Sequence, residues 1–97
     1  MHIKIPHKYT KTEALSRVRN ALEGAKPQLQ GKAVIEEERW EGDTLHFAFS
    51  ASGQRISGQL AVLDNAFDLT AKLPLLYRVF EGRIQKMIEE QGRQMLG

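Results

Sequence analysis

A run of glutamates, Glu36 to Glu38, and an aspartate at Asp43 are the carboxylates of this sequence that could act together as an acid and a base. Two carboxylates beside an apolar cavity can transfer protons to and from a substrate. If Trp40 points inward, the two-residue period of a strand turns Glu36 and Glu38 inward as well. An edge strand guarded by inward-pointing charges accounts for the same pattern without catalysis. We favour the guarded edge.

Asp43 belongs to the segment WEGDTL, which is typical of a tight hairpin turn. Gly42 can adopt a positive φ, and aspartate tolerates the left-handed region and bonds to nearby N–H groups. Trp40 and Leu45 flank the turn and can pair across it. We therefore expect Asp43 to form a structural corner rather than a catalytic group.

The three histidines are His2, His7 and His46. A structural or catalytic metal needs three or four converging ligands, and the histidines show neither HxH nor HxxxH spacing. We expect solvated surface histidines, no metal site and no cofactor.

The chain length of 97 residues predicts a single domain over 1–97. The formal net charge is +2, and the acidic residues are interleaved with the basic ones. This pattern disfavours nucleic-acid binding, which needs clustered cations. The sequence contains no cysteine and no apolar run of about 20 residues. We expect a cytoplasmic protein without disulfides or a transmembrane segment.

Alternating apolar residues in HIKI predict a first strand that ends at Pro6. Thr10 and Glu13 have the spacing of a capping box, which predicts a helix from about residue 11 to residue 23. Gly24 stands where a C-terminal glycine cap belongs, and Pro27 disfavours continuation.

Four further strands are predicted between residues 32 and 73, separated by Gly, Asn and Asp turns that are typical of an antiparallel meander. Pro74 then starts a helix of about 20 residues. Its apolar stripe comprises Leu76, Tyr77, Phe80, Ile84, Met87, Ile88, Gln91 and Met95.

The predicted fold is α+β: a two-layer sandwich of order β-α-β-β-β-β-α, whose antiparallel sheet is covered on one face by two helices. The connectivity resembles a reduced helix-grip fold, and that analogy implies the spatial strand order 1-5-4-3-2. A fold-level analogy carries no function with it.

The segments WEGDTLHF, SGQRISGQLAV and LPLLYRVFEGRIQKMIEEQGRQML together resemble the small bacterial proteins of polyhydroxyalkanoate gene regions, the polyhydroxyalkanoic acid system proteins. The resemblance covers about residues 12–96. It implies association with storage-polyester metabolism and supplies no catalytic residues.

The resemblance, with the apolar stripe, favours a non-enzymatic accessory protein that binds a polyhydroxyalkanoate granule surface, a granule protein or an apolar acyl ligand. Candidate ligand-facing residues are Trp40, Phe47, Phe49, Leu60, Phe67, Tyr77, Phe80 and Ile84. Each of them could equally belong to the hydrophobic core.

Two alternatives stay open. A small helix-grip enzyme acting on acyl substrates would need a general acid or base, and Glu38 or Asp43 are the candidates. A regulatory or nucleic-acid-binding module is disfavoured by the modest charge. We also expect a homodimer, because a small sheet leaves exposed edges and Met87, Ile88 and Met95 could supply dimer contacts.

Overall fold

The computed structural model describes the backbone of residues 1–96 and the side chains of residues 1–94. The expectation for the side chain of Met95 therefore lies outside the described residues. The elements in chain order are β1 (His2–Pro6), α1 (Lys11–Leu29), β2 (Val34–Glu41), β3 (Thr44–Ala51), β4 (Gln54–Val62), β5 (Ala66–Lys72), α2 (Leu75–Arg78) and α3 (Glu81–Leu96).

The five strands form one antiparallel sheet in the order β1-β5-β4-β3-β2. The predicted fold class and strand order are confirmed. Directly opposed residues share a face of a sheet, so the pairing of Leu45 with Leu60 and of Leu60 with Leu69 builds an apolar row. This row continues to Ile3 on β1, the partner of Leu69.

The core lies where the first half of α1 packs on the sheet. Ala14 and Val18 of α1 are buried against Val62 of β4 and Phe67 of β5. Thr10 caps the helix by accepting a hydrogen bond from the backbone N–H of Glu13, at 3.2 Å. The predicted start of α1 is confirmed.

The predicted end of α1 is wrong, because the helix continues past Gly24 and Pro27 to Leu29. Its last part is held by Lys26, whose ammonium bonds to Glu23 on the preceding turn and to Glu38 on β2. Only the contact with Glu38 joins the helix to another element. Leu22 packs on the core and Leu29 lines the space over the sheet, and this packing of the apolar side keeps the segment helical although glycine and proline favour a helix end locally. The C-cap of the helix is Gln30, whose backbone is extended, and Gly31, with φ +82°, completes the turn that follows.

The expected single helix after Pro74 is two helices, α2 and α3. Between them the N–H of Phe80 bonds to the carbonyl of Tyr77, an i→i+3 bond that tightens the backbone. Helix α3 packs mainly against α1 and β1. The helix comes close to the sheet at Gly92, where a Cβ would lie 2.6 Å from Cδ1 of Ile5. Both long helices thus lie on the apolar face, with α3 at the β1 edge.

Candidate ligand cavity

An open apolar cavity of about 250 Å³ lies between the second half of α1 and the apolar face of the sheet. We call it the α1–sheet cavity. It is lined almost wholly by apolar atoms, from Leu22, Leu29, Ile35, Glu37, Glu38, Leu45, Phe47, Ala48, Phe49, Leu60 and Leu69. Its volume is just below the range of about 300–1,000 Å³ that is usual for small-molecule sites. A short aliphatic chain is therefore the kind of ligand that it can enclose.

Two phenylalanines of β3 form one wall of the α1–sheet cavity. The rings of Phe47 and Phe49 are stacked, with centroids 6.4 Å apart and an interplanar angle of 21°. The ring of Phe47 lies over Gly58, its partner on β4. A Cβ at Gly58 would be 2.9 Å from Cζ of Phe47 and would overlap the carbonyl oxygen of Thr70. The absence of a side chain at Gly58 therefore leaves the space that the ring of Phe47 occupies.

Glu38 of the cavity lining pairs with a lysine of α1, Lys26, which lies between two carboxylates; we call this group the rim. The Nζ of Lys26 lies 3.0 Å from Oε1 and 3.4 Å from Oε2 of Glu38, and 2.9 Å from Oε1 of Glu23. The hydrogen bond to Glu23, followed by that to Glu38, raises the pKa of the Lys26 ammonium above its ordinary value. With both carboxylates ionised, this group of three residues has a net charge of −1. It can donate a hydrogen bond to a carbonyl and accept one from a hydroxyl.

Glu36 does not join Glu38 at the cavity. A β-bulge between Ile35 and Glu37 breaks the two-residue alternation of β2, so the residues on either side of it change face. Glu36 accepts a hydrogen bond from the hydroxyl of Ser50 and lies 3.7 Å from Nε of Arg55. Glu38 stays on the apolar face, opposite Phe47. The paired inward carboxylates considered from the sequence are therefore not formed.

Asp43 forms a structural corner. Its carboxylate lies 3.1 Å from Nζ of Lys11 at the start of α1, and its carbonyl accepts a hydrogen bond from the N–H of Val62. Lys11 also pairs with Asp64 at 3.4 Å. The hydrogen bonds to Asp43 and then to Asp64 raise the pKa of Lys11. Asp43 thus ties the β2–β3 turn to α1 and to the end of β4.

The expectation that all three histidines are solvated is wrong for His7, which is buried. The Nε2–H of His7 donates to the carbonyl of Leu63 at 2.9 Å, and its Nδ1 accepts from the N–H of Tyr9 at 3.1 Å. Its ring also lies on that of Phe67, with centroids 4.7 Å apart. The alternation of the first strand extended one residue past Pro6 would have placed His7 on the inner face with Ile3 and Ile5.

Of the other two histidines, only His2 pairs with a carboxylate, that of Asp68. Nε2 of half-buried His46 lies 3.4 Å from Oε1 of Glu41 but is buried and makes no hydrogen bond within the described residues. Within residues 1–96, no three His, Cys, Asp or Glu side chains converge in a way that could hold a metal ion.

Three of the candidate ligand-facing residues, Phe47, Phe49 and Leu60, line the α1–sheet cavity together. Trp40 packs on the core cluster and has the guanidinium of Arg19 over its ring at 5.1 Å. Phe67 is fully buried in the core.

The remaining three candidates belong to the C-terminal segment. Tyr77 and Ile84 are half-buried, and Phe80 is exposed. None of the described residues of α2 or α3 lines the α1–sheet cavity. The structure therefore brings together the candidates of the sheet and leaves those of the last helices elsewhere.

Six apolar lining residues were not among the sequence candidates: Leu22, Leu29, Ile35, Leu45, Ala48 and Leu69. Leu22 and Leu29 are seven positions apart, two helical turns, and would have been grouped if α1 had been continued past Gly24. Leu45 and Leu69 follow the strand alternation already recognised in β3 and β5. Ile35 is harder to assign to the apolar face from the sequence, because the bulge that follows it breaks the alternation of β2.

No helix within residues 1–96 combines the length and the hydropathy that crossing a bilayer requires.

A scan of protein-family models matches residues 1–96 to a family described as "Putative polyhydroxyalkanoic acid system protein". Neither the curated proteins nor the solved structures contain a match to this chain.

Proposed function

The chain belongs to the polyhydroxyalkanoic acid system protein family, and we propose that it is a non-enzymatic accessory protein that binds a hydroxyacyl ester unit in the α1–sheet cavity. The observation that carries this proposal is the cavity itself, whose walls are almost wholly apolar. A polyhydroxyalkanoate consists of ester-linked hydroxyacyl units with alkyl side chains. The alkyl chain would occupy the cavity between the phenylalanine wall of β3 and the leucines of α1.

The charge of the rim favours the ester form of a ligand over the free acid. Glu23 and Glu38 place two carboxylates around the one ammonium of Lys26. A free fatty-acid carboxylate would be repelled by this net negative charge. A neutral ester avoids the repulsion: its carbonyl can accept from Lys26, and the free hydroxyl of a monomeric or chain-terminal hydroxyacyl unit can donate to Glu38. The ester form is therefore preferred to the free acid.

Calorimetric titration tests this proposal with three methyl esters, those of 3-hydroxybutyrate, 3-hydroxyhexanoate and 3-hydroxyoctanoate. Each methylene buried in an apolar site contributes about 0.8 kcal/mol. The affinity should therefore rise about fourfold per methylene until the cavity is filled. The free acid, 3-hydroxyoctanoate, should bind several-fold more weakly than its methyl ester. Equal affinity for all chain lengths, or a preference for the free acid, would refute the proposal.

A cavity-filling variant locates the site. Leu60→Phe adds volume to a side chain of the cavity wall and should abolish ester binding. Leu63→Phe is the matched control, because Leu63 is half-buried in the segment after β4 and does not line the cavity. The control should bind the ester as the unsubstituted protein does.

A small enzyme acting on acyl substrates is the second candidate, and the position of Glu38 on the cavity lining is the observation that favours it. Glu38→Gln distinguishes the two. Under the accessory role this variant still binds the ester and no turnover of 3-hydroxyacyl thioesters is found in either protein. Turnover that is lost with Glu38→Gln would establish the enzyme instead.

Association with granules and with a second copy are further parts of this proposal. Fractionation of cells that store polyester would find the protein with the granules, and light scattering would report a dimer. Both edge strands of the sheet, β1 and β2, are available for pairing in the monomer.

A further inference from the structure

The C-terminal segment exposes large apolar side chains that the fold does not use. Between positions 75 and 87 five of them are 54–82% exposed, and we call them the α2–α3 patch: Leu75, Leu76, Val79, Phe80 and Met87. Other side chains of the same segment, Tyr77 and Ile84, are half-buried. The packed side of the segment and its exposed side are thus made by different residues. Large exposed apolar side chains concentrated in one segment favour an interaction site there.

The same segment is positively charged. Arg78, Arg83 and Lys86 are exposed, and none of them forms an ion pair with a carboxylate of the described residues. The acid between them, Glu81, lies 3.3 Å from the N-terminal ammonium of Met1, which offsets its charge. The apolar side chains of the α2–α3 patch are therefore interspersed with three cations that form no ion pair within the described residues, and the glutamates Glu89 and Glu90 follow the patch in α3.

We propose that the α2–α3 patch binds an anionic lipid surface. Helical segments that combine apolar side chains with lysine and arginine lie in the lipid–water interface, where apolar burial and attraction to anionic headgroups act together. Charge complementarity favours an anionic lipid surface over a second copy of the chain. A second copy bound through the same patch would bring two cation-bearing surfaces together, whereas an anionic lipid surface attracts all three cations.

The proposed surface is separate from the α1–sheet cavity, which no described residue of α2 or α3 lines. A negative result for ester binding therefore leaves the lipid-binding proposal standing, and the reverse also holds. An excess of methyl 3-hydroxyoctanoate in the lipid assay should leave lipid binding unchanged.

Co-sedimentation with vesicles tests the proposal directly. The full chain should bind vesicles of equal parts phosphatidylglycerol and phosphatidylcholine, and bind pure phosphatidylcholine vesicles at least about tenfold more weakly. Each basic side chain near an anionic surface strengthens binding about fivefold at low salt, and high salt should remove most of this difference. Equal binding to both vesicles, or binding to neither, would overturn the proposal.

Matched variants separate the patch from general surface properties. Val79→Ser/Phe80→Ser should reduce binding to the anionic vesicles about tenfold or more, because it removes apolar surface that enters the interface. Val34→Ser should change binding by less than about twofold, since Val34 is 65% exposed on β2, away from the patch. All these side chains are exposed, so the melting temperature should stay the same. Equal losses in the two variants would contradict the assignment.

The charges are tested in the same way. Arg83→Gln/Lys86→Gln should weaken binding to the anionic vesicles about tenfold or more. Lys8→Gln/Lys32→Gln removes two exposed cations from other parts of the surface and should have less than about a twofold effect. Light scattering supplies the competing outcome. A dimer that Val79→Ser/Phe80→Ser abolishes would show that the patch is a subunit contact and would refute lipid binding.

Discussion

The ammonium of Lys26 on α1 lies 3.0 Å from a carboxylate oxygen of Glu38 on β2, and this ion pair joins the two walls of the α1–sheet cavity. The pair is partly shielded, with the side chains 36% and 30% exposed. It has two consequences. It holds the last turns of α1 against the sheet despite Pro27 within that helix, and it provides the polar groups at the cavity rim.

Lys26→Gln should weaken binding of methyl 3-hydroxyoctanoate several-fold while the protein stays folded. The substitution removes the ammonium that would donate to the ester carbonyl and leaves Glu23 and Glu38 without their shared partner. Calorimetric titration at neutral pH, with circular dichroism as a check of folding, measures both effects.

Lys11→Gln is the control for that experiment, because Lys11 also bridges two carboxylates, Asp43 and Asp64, but neither of these lines the cavity, whereas Glu38, the partner of Lys26, does. It should lower the melting temperature by a similar small amount and leave ester affinity unchanged. Equal losses of affinity in the two variants would rule out a specific contribution of Lys26.

The contribution of Lys11 and Lys26 to stability should be lost at alkaline pH. Hydrogen bonds to carboxylates raise the pKa of both groups above the value of 10.5 for an unperturbed lysine. Their contribution to stability is therefore fully present below about pH 10.5 and is lost as the pH rises through the folded-state pKa. The difference in melting temperature between the unsubstituted protein and Lys11→Gln/Lys26→Gln should be constant from about pH 8 to 10 and shrink above that range. A difference that persists unchanged at higher pH would contradict these ion pairs.

Gly58→Ala should destabilise the protein by about 1–3 kcal/mol or more, the usual cost of forcing extra atoms into a packed interior. A Cβ there would overlap the backbone of β5 at Thr70 and Ala71 and would press on the ring of Phe47. Urea unfolding measures the effect. Gly24→Ala is the matched control, since no atom lies within 4 Å of its Cβ position and the residue lies within α1. The control should be stabilised by about 0.5–1 kcal/mol, and a similar loss in both variants would disagree with the structure.

Phe67→Ala and Phe49→Ala should differ in cost. Phe67 is fully buried in the core, and its truncation should cost about 3–5 kcal/mol of unfolding free energy. Phe49 is half-buried on the open cavity and should cost clearly less. If urea unfolding gave equal costs, the α1–sheet cavity would not be open in solution.

The sequence was sufficient for those parts of the fold that rest on local periodicity. The alternation of Leu45, Phe47 and Phe49 predicted β3 and three side chains that line the α1–sheet cavity, and Thr10 with Glu13 predicted the start of α1. Strand order followed from the connectivity and an analogy rather than from any single residue, and it is confirmed.

The parts that the sequence did not predict depend on contacts between distant residues. Gly24 and Pro27 favour a helix end locally, but Lys26 is held by Glu38 from another element. The run of three glutamates gives no indication of the bulge between Ile35 and Glu37 that separates Glu36 from Glu38. Likewise, His7 is buried because Leu63, far along the chain, supplies an acceptor for its ring.

The central claim is that an acyl chain lies in the α1–sheet cavity, and an isotope-filtered nuclear Overhauser experiment on labelled protein with unlabelled methyl 3-hydroxyoctanoate tests it most directly. We expect contacts from the terminal methyl group of the ester to Phe47, Phe49 and Leu60. Contacts to Val79 and Phe80 instead, or no intermolecular contacts at saturating ester, would contradict the claim.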